Sequence, residues 1–83
     1  MCTNGVNVTQ LKATIEQIDE AVALTRRWTH RSYHTADNGS MQKTAAKLQS
    51  VQALLDEARA LLSEAADMAE EEAVSSAVSV NLV

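Results

Sequence analysis

One interruption governs what this chain can fold into. The sequence contains no proline and only two glycines, Gly5 and Gly39. Gly39 lies in the run TADNGS, residues 35 to 40, where Asp37, Asn38, Gly39 and Ser40 are all turn formers. On both sides of that run the apolar residues recur with a helical period. A chain with one strong breaker and helical patterning around it folds as two helices joined by a turn. The expected fold class is all-α, a two-helix antiparallel hairpin in a single domain, residues 1–83.

The first helix is expected over about residues 8–33. Leu11, Ile15, Ile18, Val22 and Thr25 follow one another at steps of four and three, which is one face of a helix. Ala21, Leu24 and Trp28 widen that face. Asn7 or Thr9 can cap the start, and Asn7 with Gln10 has the spacing of a weak capping box. The turn is expected over 34–40. The second helix is expected over about 41–72, capped by Asn38 or Ser40. Leu48, Val51, Leu55, Ala58, Leu62, Ala65 and Ala69 alternate steps of three and four, a heptad seam, and Leu54, Leu61 and Met68 add a flank at steps of seven. Residues 73–83 change character, with Val78, Val80 and Leu82 alternating with Ser79 and Asn81. A loosely packed or extended tail is expected there.

The two apolar stripes of the second helix are together wider than one partner helix covers, which suits a bundle core. The chain has 83 residues, no Phe, one Trp and one Tyr. Much of its apolar content is Ala, so a monomeric core would be thin. Its single cysteine, Cys2, allows no intrachain disulfide. Self-association follows as an expectation, most simply a dimeric four-helix bundle. Its core would use Leu11, Ile15, Ile18, Val22, Trp28, Leu48, Val51, Leu55 and Leu62.

Charge is distributed with a direction. Residues 1–47 carry Lys12, Arg26, Arg27, Arg31, Lys43 and Lys47 against Glu16, Asp19, Glu20 and Asp37, a net of +2. Residues 48–83 carry Arg59 against Asp56, Glu57, Glu64, Asp67, Glu70, Glu71 and Glu72, a net of −6, which completes the overall −4. Folded at the turn, the chain becomes a rod with a basic tip and an acidic opposite end. Helix dipoles favour part of this pattern, but not Lys43 near the start of the second helix nor Glu70–Glu72 near its end. Two uses fit: head-to-tail pairing of hairpins, and an anion site where the second helix begins among cations.

The run RRWTHRSYH, residues 26–34, concentrates the only Trp, the only Tyr and both His. In a structural reading Trp28 plugs the core and Tyr33 helps to close the bundle end, while the arginines stay solvated. In a ligand reading Arg26, Arg27, Arg31, Tyr33, His34 and Lys43 hold an anionic nucleotide or phosphate, because guanidinium groups pair with phosphate oxygens and rings stack on bases. His30 and His34 have the four-residue spacing of a helical metal pair but lack the companion Glu of the helical zinc motif. A surface role is expected for them, with no metal site and no cofactor.

The acidic balance, with a pI near 4.9, argues against general nucleic-acid binding. No stretch approaches the length of a membrane span. The start, MCTNGVNVTQ, lacks the features of a signal peptide, so a cytoplasmic protein is expected and Asn7 and Asn38 read as cap and turn residues instead of glycan sites. There is no Gly-rich phosphate loop, CxxC pair or nucleophile elbow, and enzyme activity is not expected. The leading functional expectation is a small interaction protein that binds or inhibits a protein partner through its helical surface. A ligand sponge and a scaffolding component are the alternatives.

Overall fold

The computed structural model describes the backbone of residues 7–82 and the side chains of residues 7–74. Two helices account for nearly all of it: α1, Val8–Asn38, and α2, Gln42–Leu82, packed along each other as a hairpin. The molecule measures 65 × 16 × 15 Å with a radius of gyration of 18.9 Å. A compact chain of this length would have a radius of gyration near 12 Å. The hairpin is a rod one helix pair thick, with no interior in which to bury large side chains.

Local chemistry sets the ends of α1. Asn7 has extended backbone and its side chain accepts a hydrogen bond from the Gln10 N–H at 3.0 Å, the N-cap arrangement. The helix runs five residues beyond the expected end at Tyr33. Thr35, Ala36 and Asp37 carry no backbone obstacle, and Ala36 packs into the contact with α2. The turn is therefore Gly39–Met41. The Ser40 N–H donates to the Asp37 carbonyl at 3.1 Å and the Met41 N–H to the Ala36 carbonyl at 2.8 Å. This is the hydrogen-bond pattern of a Schellman motif. Its left-handed position is held by Ser40, with φ 63°, while Gly39 beside it has φ −86°.

α2 runs to Leu82, so residues 73–82 of the expected tail are helical and not extended; Val83 lies outside the described residues. No Gly or Pro follows Ser40, so nothing terminates the helix. Val and Ser cost only tenths of a kcal/mol each once a long helix is nucleated. Neither Asn38 nor Ser40 caps α2: Asn38 closes α1, and α2 starts after Met41.

The seam between the helices keeps the heptad period and shares Ile15, Val22, Leu48, Leu55 and Leu62 with the apolar stripes, but its alternate positions lie one residue further along. On α1 the sheltered positions are Val8, Lys12, Ile15, Asp19, Val22, Arg26, Thr29, Tyr33 and Ala36, with Ala23 beside them. On α2 they are Ala45, Leu48, Gln52, Leu55, Leu62, Ala66, Ala69 and Ala73, with Ala58 beside them. Lys12 thus takes the place expected of Leu11, Asp19 that of Ile18, and Gln52 that of Val51. Lys12 and Asp19 make ion pairs across the hairpin, and Gln52 meets His30. Only Thr29, Ala36 and Ala45 are buried among the described residues, at 8%, 5% and 3% exposure. Small side chains there let the helices approach closely near the turn. The Thr29 hydroxyl is satisfied by the Thr25 carbonyl at 2.8 Å.

Candidate functional site

The hairpin has two unlike faces. Helical periodicity carries each face along the rod, and two surface grooves show which columns of α1 and α2 share a side. One groove is lined by Trp28, Arg31, Ser32, Thr35 and Ala36 from α1, Met41 from the turn, and Thr44 and Leu48 from α2. Seven-residue steps back from Ser32 lead to Thr25, Ile18 and Leu11; steps on from Thr44 lead to Val51, Ala58 and Ala65. Leu54, Leu61 and Met68 flank the latter column. The large side chains of this face, Leu11, Ile18, Trp28, Val51, Leu54, Leu61 and Met68, are all exposed. Val22, Leu48 and Leu55 lie half-buried in the seam beside it, and Ile15 and Leu62, also half-buried, line the groove on the other side. Trp28, expected to plug a core, is 56% exposed in the hairpin because its column faces outward.

The second groove, on the opposite face, is lined by Lys12, Glu16 and Asp19 with Arg59, Ser63 and Asp67. Polar residues bridge the helices along this side. Lys12 Nζ donates to Glu70 Oε2 at 3.0 Å, and Arg59 reaches Asp19 through Nε at 3.0 Å and Nη2 at 3.3 Å. Arg26 pairs with Asp56. Lys12, Asp19 and Arg26 are seven residues apart, so the pairs form a ladder. The hydrogen bond to Glu70, reinforced by its charge, holds the Lys12 ammonium above the ordinary lysine range. The bond from Arg59 to Asp19 raises the guanidinium in the same way. No local sequence pattern assigns these partners; the seven-residue spacing of Lys12, Asp19 and Arg26 is the one signal of the ladder.

The RRWTHRSYH segment is distributed around the helix and does not converge on one site. Arg26 lies in the seam and is tied to Asp56. Arg31 holds its guanidinium 4.8 Å from the Trp28 ring centroid, a cation–π contact that covers one ring face. His30, Tyr33 and His34 form a separate ring cluster: His34 Nε2 lies 3.0 Å from His30 Nε2, and the Tyr33 and His34 centroids are 5.3 Å apart. His30 Nδ1 meets Gln52 Oε1 at 3.1 Å. Arg27 is exposed. Lys43 lines a shallow groove with Ser40, Met41, Gln42 and Thr44, which none of the arginines joins.

Among the described residues no three His, Cys, Asp or Glu side chains converge as a metal group. No helix of the described residues is long and apolar enough to cross a membrane. Comparison of the chain with protein-family models, curated proteins and solved structures finds no match.

Proposed function

We propose that this chain is a small non-enzymatic interaction protein whose working unit is a dimeric four-helix bundle. One observation carries the reading. The hairpin buries three small side chains and leaves ten large apolar ones exposed among the described residues. Eight of the ten, Met41 included, lie on a single face. Such a chain gains too little from its own seam to offset the entropy of ordering two long helices. Covering the face with a second copy would supply the missing burial, at roughly 25 cal/mol per Å² of apolar surface removed from water.

Charge favours a head-to-tail arrangement. Arg27, Arg31, Lys43 and Lys47 are exposed near the turn, and Glu16, Glu64, Asp67, Glu71 and Glu72 near the open end. Antiparallel docking sets each basic end beside the partner's acidic end. In that bundle the ion-pair ladder lies on the outer surface, where charged pairs are tolerated. The outer helical surface is then the part that engages or inhibits another protein. The anionic-ligand reading has less support, since Arg26 is committed to Asp56 and Arg31 to Trp28.

Trp28 reports on the proposed interface without a label. Its emission is expected to shift to the blue as concentration rises through the dimerisation range, and Leu61→Glu is expected to keep it red-shifted at all concentrations. Red emission at every concentration in the unaltered protein, with helix content intact, contradicts the proposal.

A further inference from the structure

On the polar face, away from the proposed dimer interface, the geometry points to a two-histidine chelate for a divalent transition metal. The site is His30 with His34, and Gln52 on α2 is its positioning residue. The residue spacing alone suggests only a helical pair; three features of the structure go further. First, the two Nε2 atoms face each other at 3.0 Å. With metal–nitrogen bonds of about 2.05 Å, that separation corresponds to an N–metal–N angle of about 94°. Second, the ring centroids are 4.5 Å apart. Two imidazoles sharing one ion at that angle would have centroids about 4.7 Å apart, given the same bond lengths. The observed separation is close to that value, with the ring planes at 89° to each other. Third, His30 Nδ1 lies 3.1 Å from Gln52 Oε1. An amide oxygen only accepts, so Nδ1 carries the proton and Nε2 keeps its lone pair. Metal-binding histidines are held in this way by an acceptor on the distal nitrogen.

In the free protein His34 Nε2–H donates to the His30 Nε2 lone pair. Metal binding moves that proton to His34 Nδ1, so the neutral side chain changes tautomer and no net proton is released. An angle near 90° suits the tetragonal sites of Cu²⁺ and Ni²⁺ better than the tetrahedral sites of Zn²⁺, whose nitrogens sit about 3.3 Å apart. No third His, Cys, Asp or Glu joins the pair among the described residues. The remaining coordination positions are open to water or to a donor from another molecule. The site draws nothing from the apolar face, so it stands whether or not the dimer does.

Calorimetric titration of the full chain with Ni²⁺ tests this, in a Cys2→Ser background that removes the only thiol. One ion per chain is expected. His30→Gln and His34→Gln should each weaken binding at least tenfold, and Gln52→Ala by about tenfold, the size of a lost outer hydrogen bond. Both histidines have exposed side chains, so circular dichroism should show unchanged helix content in their variants. With Cu²⁺, electron paramagnetic resonance should show hyperfine coupling to two imidazole nitrogens. Wild-type affinity no greater than that of the double histidine variant would overturn the proposal. So would a Cu²⁺ spectrum with a single nitrogen. An unchanged affinity in Gln52→Ala would overturn the positioning role.

Discussion

Replacing Ser40 by glycine reports on the turn that makes this chain a hairpin. Ser40 occupies the left-handed region with φ 63°. A side chain there costs about 1–2 kcal/mol. Glycine avoids that cost but loses about 0.5–1 kcal/mol through its greater freedom in the unfolded chain. The difference is a net stabilisation of about 0.5–1 kcal/mol for Ser40→Gly. At about 4–8 °C per kcal/mol for a domain of this size, melting should rise by about 2–8 °C. Gly39 provides the control. Its φ of −86° suits any residue, and an added Cβ would meet the Thr35 carbonyl oxygen at 3.4 Å and the Ala36 carbonyl oxygen at 3.7 Å, ordinary contacts. Gly39→Ala should stabilise by about 0.4–1 kcal/mol. If the chain instead ran as one continuous helix through the turn, swapping its second helix with another copy, Ser40 would be helical. Gly39→Ala would still stabilise, but Ser40→Gly would destabilise by about half a kcal/mol, the difference in helix propensity. The sign of Ser40→Gly therefore separates the two topologies. Urea denaturation followed by circular dichroism, at one fixed protein concentration, measures it. A lowered midpoint for Ser40→Gly refutes the hairpin turn described here.

Two further changes probe the seam. Ala36→Leu or Ala45→Leu would wedge the close contact beside the turn and should destabilise by about 1–3 kcal/mol in the same urea assay, whereas Ala53→Leu on the exposed surface should be nearly neutral. The Lys12–Glu70 pair predicts an alkaline limb: a raised folded-state pKa means the contribution is fully present below the unfolded lysine value and is lost as pH rises through the folded one. Stability between pH 9 and 12 should therefore decline less steeply in Lys12→Met than in the unaltered protein, and identical slopes would show that the pair contributes nothing.

The backbone plan was largely legible in the sequence, and the register was not. Asn7 as N-cap, helical periodicity on both sides of TADNGS and the absence of any other breaker lead directly to two long helices. The period of Leu11, Ile15, Ile18 and Val22 marks an apolar arc, but it does not say which edge of the arc the other helix takes. That choice depends on which side chains meet across the pair. Lys12 finds Glu70, Asp19 finds Arg59 and Arg26 finds Asp56, each at least 30 residues away in sequence. The hairpin therefore sits at the polar edge of the arc, with Leu11, Ile18 and Trp28 turned outward. The left-handed residue was equally hidden, because glycine is the usual occupant and here its neighbour Ser40 takes the position. The histidine pair was visible as a spacing. Gln52, which meets His30 Nδ1, lies on the other helix, and no local pattern connects the two.

The most direct measurement is a native mass spectrum of the full chain across a concentration series, beside Leu61→Glu. The chain has a mass of 9.0 kDa. A dimeric bundle gives a discrete species of twice that mass for the unaltered protein, at concentrations where Leu61→Glu is monomeric. A fully helical monomer of 9.0 kDa at every concentration would show that the hairpin is stable with its apolar face uncovered, and would contradict the account.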